Sequence, residues 1–314
     1  MKRYLEHRLK LRMLMAVDAI VEHKSLLKAS HMIGVTQPAL TRTLRETEEV
    51  LGGELFTRHA RGMELTPFGE VVWVAARRIL ADIRRLDRDL DRLLTGEAAQ
   101  VALGAMAPAV VGILPGLFAR LRTSAPNIHV QLTQGREEDL LPLLAVGDLD
   151  MVLGRIFQPE QPDEFVREVL YFEPLSVVAR AGHPIFDMPD VTASALDHYK
   201  IVLPTMSRSV EREIETLLSH LGFPEAIAFR SSSQPFVREL LHTSDHFTIS
   251  PPMTMAGDLE RGTLRQVPID IPGPPRPAGI IFHRDRPLGA TAQAFLHMVR
   301  KHVLTGPSGA GDAP

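Results

Sequence analysis

Cysteine is absent from this chain of 314 residues. That excludes a disulfide framework, a cysteine-ligated metal centre and an oxidant sensor built on a thiol pair. Long apolar runs are missing as well. The apolar stretch Leu103 to Ala119 contains Pro108 and Pro115 and is shorter than a bilayer span. Near the N-terminus Glu6, Arg8, Lys10 and Arg12 follow Lys2 and Arg3, so no apolar segment suited to a cleavable secretory signal is present. A cytoplasmic protein with no membrane partner is therefore expected. No phosphate-cradling glycine loop, nucleophile elbow or dinucleotide fingerprint occurs. Among the 13 histidines, His242 and His246 stand four apart, but a helix end is expected between them and no acidic partner completes a metal-ligand set. They read as solvated or capping groups, so neither a metal, another cofactor nor catalysis is expected.

Strong net charge is lacking too, the formal value being −3. It is unevenly spread: residues 1–95 carry 17 Lys and Arg against 13 Asp and Glu, an excess of +4, and the remainder carries 18 against 25, or −7. With 45% hydrophobic residues, a chain of this length has material for two or three cores rather than one. Any attraction to a polyanion must come from local placement of the basic residues near the N-terminus.

Between Ser25 and Gly69 the pattern becomes specific. Leu26, Ala29, Ser30 and Ile33 recur at helical spacing behind Ser25, a natural N-cap, and Gly34 stops the helix. A second helix starts almost at once, with Thr36 as cap, Pro38 in the first turn and an apolar stripe of Leu40, Leu44 and Leu51 running to Gly52-Gly53. Its opening face carries Thr36, Gln37, Pro38, Thr41 and Arg42. Hydroxyls, a carboxamide and a guanidinium are the groups that read base edges from a helix in the major groove. An ordinary helical hairpin with a solvated polar face would show the same pattern up to this point. The next segment separates the two readings. Leu55, Phe56, Met63 and Leu65 bracket the charged tip Arg58-His59-Ala60-Arg61-Gly62, as in a two-stranded wing whose apolar feet pack while Arg58 and Arg61 face phosphates.

These residues resemble the LysR-type transcriptional regulators. The resemblance rests on Val35-Thr36-Gln37-Pro38-Ala39-Leu40-Thr41, Leu51-Gly52, Leu55-Phe56-Thr57-Arg58, Arg61-Gly62 and Leu65-Thr66-Pro67-Phe68-Gly69, many fixed spacings within some 45 residues. Thr47 departs from the family pattern, which more often has Leu before the acidic residue at Glu48; looser packing of the helix is expected there. The resemblance implies an N-terminal winged helix-turn-helix, a linker helix and a two-lobed effector domain like the periplasmic binding proteins. It also implies double-stranded promoter DNA and a small-molecule effector as partners.

From Thr66-Pro67 a helix is predicted to run to about Thr95-Gly96. Val72, Ala76, Ile79, Ile83, Leu86, Leu90 and Leu93 alternate spacings of four and three, the seam of a coiled coil, and charged residues fill the other faces. A helix packed along its own domain would also bury a stripe. The preferred reading is a dimerisation helix, giving a homodimer or homotetramer whose symmetry sets a dyad-symmetric DNA site.

Past Gly96 the pattern reads as an α/β chain. Strands are predicted at 101–105, 129–133 and 150–153, with helices at 108–124 and 137–146, a βαβαβ unit with a parallel sheet. A second block follows, with strands at 175–179, 201–203, 226–230, 246–250 and 264–267 and helices at 210–221 and 235–243. The Pro-rich run 271–277 reads as an extended crossing, before a last strand at 279–283 and a last helix at 291–302. The expected layout is a winged helix-turn-helix in 1–65, a linker helix in 66–96, an effector domain in 97–304 and a disordered tail in 305–314. Lobe I takes about 97–172 and 272–304, and lobe II about 173–271.

Two such lobes form a cleft where strand C-termini and helix N-termini converge. Four turns are expected to line it: Ala105-Met106-Ala107-Pro108, Gln134-Gly135-Arg136, Pro204-Thr205-Met206-Ser207, and Arg230 with Ser231, Ser232 and Ser233. Free backbone donors there suit a carboxylate or another electronegative group, so an organic acid or a sugar is the expected effector. Relatives that hold acids often carry hydroxyl residues where this chain has Ala105 and Ala107, which argues against a simple carboxylate clamp. The stretch 135–140 and Gly154-Arg155 resemble the branch of the family that responds to aromatic acids or sugars. RNA polymerase is a further expected partner. A transport-type solute-binding protein shares the two lobes but has no use for the first 95 residues.

Overall fold

The computed structural model describes residues 5–59, 62–95, 99–159, 162–189, 191–221, 227–271, 273 and 276–305. Residues 305–314, expected as a tail, lie outside the described residues apart from Thr305, which ends the last helix. The chain divides into two units, residues 1–97 with 145–148, and residues 98–144 with 149–314.

The first unit opens with α1 (Leu5–Arg8) and α2 (Leu11–His23), followed by α3 (Leu26–Met32), α4 (Gln37–Leu51), the hairpin β1 (Phe56–His59) and β2 (Gly62–Leu65), and α5 (Pro67–Thr95). Local chemistry sets most of these boundaries. The Ser25 hydroxyl accepts from the Lys28 amide at 3.4 Å and that of Thr36 from Ala39 at 3.4 Å, each satisfying an amide that a helix start leaves free. Gly34, with φ of 70°, makes the turn between α3 and α4. The Thr66 hydroxyl accepts from the Gly69 amide at 2.9 Å and donates to the Glu54 carbonyl at 2.7 Å, so one side chain starts α5 and fixes the approach of the hairpin. Ala16, Val17 and Ile20 of α2 pack with Ala29, Leu40, Leu44, Leu51, Leu55, Phe56 and Met63 into one core. Thr47 is fully buried beside it, and its hydroxyl donates to the Thr43 carbonyl at 2.7 Å. The polar group is thus accommodated by the helix itself.

In the second unit, lobe I is built on β3 (Ala99–Ala105), α6 (Ala107–Gly112), α7 (Leu114–Ser124), β4 (Ile128–Gln134), α8 (Glu137–Val146), β5 (Met151–Arg155) and β6 (Phe165–Phe172). Lobe II contributes β7 (Ser176–Arg180), β8 (Ile201–Pro204), α9 (Arg208–Leu221), β9 (Ile227–Ser231), α10 (Gln234–Thr243), β10 (Thr248–Ser250), α11 (Ala256–Glu260) and β11 (Leu264–Gln266). The chain then returns to lobe I with β12 (Pro277–His283) and α12 (Ala290–Thr305).

The lobe I sheet has the order β4-β3-β5-β12-β6. Strand β3 runs parallel to β4 and β5, as a βαβαβ unit requires, but β12 is antiparallel to both β5 and β6. The expected parallel unit is therefore joined by one antiparallel strand, β12, and beyond it by β6, which runs in the direction of the parallel strands and which the sequence reading lacked. The helix predicted over 108–124 is two helices, broken at Ile113, whose φ of −116° leaves the helical range just ahead of Leu114-Pro115. In lobe II, β10 and β11 flank β7 antiparallel, while β8 and β9 pair in parallel and join through the bridge from Ile201 to Phe247. Each lobe has its own core, one around Leu103, Leu117, Leu153, Ile280 and Phe295, the other around Val177, Ile201, Leu217, Phe247 and Ile249.

Candidate nucleic-acid interface and ligand cleft

Burial of Leu40, Leu44, Thr47 and Leu51 turns the opposite side of α4 to solvent. Thr36, Gln37, Pro38 and Arg42 are exposed and Thr41 is half-buried. The Thr41 hydroxyl donates to the Gln37 carbonyl at 3.0 Å, whereas the carboxamide of Gln37 stands at the open first turn of the helix. Arg42 reaches Glu46 at 3.1 Å, and Glu46 also meets Arg12 at 3.2 Å. With its side chain 83% exposed, Arg42 gains little from that pair. Exposed Arg45 extends the same strip one turn further; helical spacing from Thr41 and Arg42 was the signal for it.

The hairpin is fixed to α2. Lys24, in a left-handed conformation at φ of 51°, caps α2 and offers its carbonyl to the Met63 amide at 3.1 Å. The side chain of Arg58 and all of Arg61 lie outside the described residues.

Along α5 the predicted seam divides. Val72 and Ala76 pack inside their own unit. Ile79, Ile83, Leu86 and Leu90 are 42%, 43%, 53% and 48% exposed. Leu93 falls among side chains outside the described ones. Trp73 donates to Asp18 at 3.0 Å and ties the first half of the helix to α2.

In the second unit the strand ends converge as the turns require. Ala105 is fully buried and Met106 nearly so, its amide donating to the Leu153 carbonyl at 2.9 Å; Ala107 and Pro108 are half-buried at the start of α6. The Gly135 amide donates to the Ala105 carbonyl at 3.2 Å, and Gln134 is exposed beside it. Pro204 is buried, Thr205 exposed with its amide on the Ser231 carbonyl at 2.8 Å, and Ser207 is a buried cap accepting from Val210 at 3.4 Å. Ser231 ends β9 and Ser232 follows it, and the Ser231 hydroxyl accepts from the Ser233 amide at 3.1 Å. Arg230 meets Glu211 at 3.5 Å and Glu215 at 3.2 Å on α9. His242 stands against Asp258 at 3.3 Å, beside Arg238 and Arg261, and these cations hold the Asp258 carboxyl far below the usual carboxylate range.

Sequence reasoning missed a second set of groups at the crossing between the lobes. Arg155 ends β5, Glu173 follows β6, Arg276 precedes β12 and Glu213 lies on α9. Arg155 donates to the Pro277 carbonyl at 2.8 Å and to Glu213 at 2.9 Å; Arg276 donates to the Glu173 carbonyl at 3.0 Å and to the other oxygen of Glu213. Glu173 is 2% exposed and accepts from the Tyr171 hydroxyl at 3.2 Å. Burial pushes its carboxyl up to about 7, against the pull of Tyr171, Arg276 and Arg155. Burial also raises Glu137 at the start of α8, with Arg167 and Arg155 opposing.

Comparison with known proteins fits this geometry. Residues 11–70 match the family described as bacterial regulatory helix-turn-helix protein, lysR family, and residues 95–304 match the LysR substrate binding domain. The chain belongs to the LysR family. It is 30% identical over 295 residues to the transcriptional regulator PcaQ of Agrobacterium fabrum, covering 92% of this chain and 95% of that one. GbpR of Azospirillum brasilense is 28% identical over 300 residues, covering 95% and 87%. Among solved structures, full-length CbnR complexed with its target DNA superposes with a TM-score of 0.66 at 22% identity, covering 94% of this chain and all of that one. A full-length OxyR variant from Pseudomonas aeruginosa gives 0.65 at 18%, covering 98% and 100%. As a LysR-type protein, the chain is a DNA-binding transcriptional regulator carrying an effector-binding domain. No described helix is long and apolar enough to cross a membrane.

Proposed function

We propose that this regulator acts as a symmetric oligomer in the cytoplasm, without catalysis. In this reading Thr36, Gln37, Pro38, Thr41 and Arg42 lie in the major groove and Arg58 and Arg61 meet the backbone. Ile79, Ile83, Leu86, Leu90 and Leu93 face a second copy, and Val72 and Ala76 support the seam from within their own domain. The observation that carries the oligomer is the row of apolar side chains left uncovered along α5, on a helix otherwise dense in charge. Two copies of the reading helix related by a dyad select a dyad-symmetric promoter site.

The effector binds between the lobes, against the turns at Ala105 to Pro108, Gln134-Gly135, Pro204 to Ser207 and Arg230 to Ser232. Of these, Arg230 is already engaged by two carboxylates, and the first turn offers no hydroxyl. A sugar or an organic acid with several hydrogen-bonding groups suits such a lining better than a bare carboxylate does. The effector changes promoter engagement by preferring one arrangement of the oligomer, which alters contacts with RNA polymerase.

Footprinting of full-length protein on dyad-bearing promoter fragments tests the reading. Thermal-shift screening first selects stabilising compounds from aromatic acids, sugar acids and amino acids. The expected result is a protected pair of half-sites whose pattern changes with the selected compound. Protection of a single half-site, or a pattern insensitive to every stabilising compound, would overturn it.

A further inference from the structure

We infer that Glu213 is a latch between the lobes, holding their angle in the absence of any ligand. Helix α9 is anchored in lobe II, where Ile214, Leu217 and Leu218 enter the core. From the flank of that buried face the Glu213 carboxylate leaves its lobe, and each of its oxygens takes one guanidinium. One oxygen accepts from Arg155 at the end of β5, a lobe I strand; the other accepts from Arg276 on the crossing segment just before β12. Both arginines are at least nine-tenths buried as side chains, whereas Glu213 retains 27% exposure.

The partners are held before the carboxylate arrives. Arg155 is fixed by the carbonyls of Pro277 and Ile156 and flanked by the ring of Phe157 at 5.0 Å, and Arg276 by the Glu173 carbonyl. Two guanidiniums placed side by side in a buried site repel one another and have lost water, so they need an anion between them. Glu173 meets Arg276 through its backbone carbonyl and turns its carboxyl to Tyr171, where burial pushes it up, so Glu213 is the carboxylate that bridges the two guanidiniums. The cost of withdrawing Glu213 thus falls on lobe I and the crossing, while its backbone belongs to lobe II. Opening the lobes breaks both ion pairs together. An apolar contact also joins the lobes: a Cβ on Gly112 of α6 would stand 2.6 Å from that of Met253.

That the latch governs an effector's entry rests on the cleft reading above; the latch itself does not. Because the chain has no cysteine, Thr123→Cys on α7 and Thr243→Cys on α10 provide two unique spin-label sites, one per lobe. Distances between them are measured in full-length, ligand-free protein with each variant added. Glu213→Gln is expected to lengthen the mean distance or broaden its distribution at least twofold. Glu215→Gln, on the same helix but paired with Arg230 inside lobe II, is expected to leave it unchanged. Glu213→Ala opens an anion site between the two guanidiniums, so acetate at tens of millimolar should restore the narrow distribution, and chloride less well. If Glu213→Gln fails to fold, Glu213→Asp, one methylene shorter, carries the test with an intermediate distance. A distribution in a folded Glu213 variant that matches the parent, or no response of Glu213→Ala to acetate, overturns the latch. Failure of every compound in the effector screen would overturn the cleft reading and leave these distances as they are.

Discussion

The carbonyl oxygen of Lys24 lies 2.4 Å from the place a Cβ on Gly62 would occupy. Gly62 has φ of 127°, and its neighbour Met63 donates its amide to that same carbonyl. The wing is therefore fixed to the end of α2 at a point where only glycine fits. Gly62→Ala should cost the N-terminal unit about 1–3 kcal/mol through backbone strain and the displaced contact. It should weaken binding to specific and random DNA by similar factors, as the proposed contact of the wing with phosphate rather than bases requires. A melting curve and affinities on both DNAs check this; a loss confined to the specific site would place the wing over base edges.

Base reading is tested at α4. Gln37→Ala and Arg42→Ala should each cost about 1–3 kcal/mol on the specific site and much less on random DNA. In the proposed reading Arg42 exchanges its ion pair with Glu46 for a DNA contact, so Glu46→Gln should tighten binding to both DNAs slightly. Equal losses on the two DNAs would assign Gln37 or Arg42 to phosphate contact or to the fold.

The uncovered row on α5 makes a different demand. Ile83→Asp or Leu86→Asp places a charge where a second helix is expected to exclude water, and the oligomer should dissociate. Sedimentation of the full-length variant at the parental mass, with DNA affinity intact, would exclude this row as the main contact.

Much of the DNA reader was legible because its signals are local. Ser25, Thr36 and Gly34 state the helix boundaries within a few residues of where they act. Helix α2 escaped because no side chain caps it and its apolar residues, from Met13 to Ile20, are too dense to show a stripe. Strand β6 escaped for the opposite reason. Arg167 and Glu168 sit in its middle, satisfied by Asp163 and by Arg300, partners that the strand's own pattern does not name. Of the group at the crossing, Arg155 alone stood out in the sequence, without its partners. Arg155, Glu173, Glu213 and Arg276 come from four separate segments, and only the return of the chain to lobe I brings them together.

Glu173 gives the fold a pH dependence of definite sign. Its carboxyl keeps a proton up to about 7 in the folded chain, whereas an ordinary glutamate releases it near 4.5. Between those values the folded state binds more protons than the unfolded one, so stability falls as pH rises through this window. The contribution is on the order of 3–4 kcal/mol, since one unit corresponds to about 1.4 kcal/mol. Glu173→Gln should remove that slope, melting close to the parent at pH 4.5 and above it at pH 8. Parallel melting curves for the two proteins across this range would show that Glu173 is ionised throughout.

The position of β12 in its sheet bears on how the chain is made. It lies between β5 and β6, yet among the described residues it is the last strand to be synthesised. The DNA reader has all its strands by Leu65, and the strands of lobe II all fall between Ser176 and Gln266. Lobe I, which begins first, cannot join its sheet until His283 has been added, roughly 5–20 s after β6 at ordinary elongation rates. Through that interval the facing edges of β5 and β6 stand unpaired, and pairing with another chain competes with completion. The order of domains along the gene is thus not the order in which they finish: lobe II, inserted within lobe I, is whole before the lobe that surrounds it.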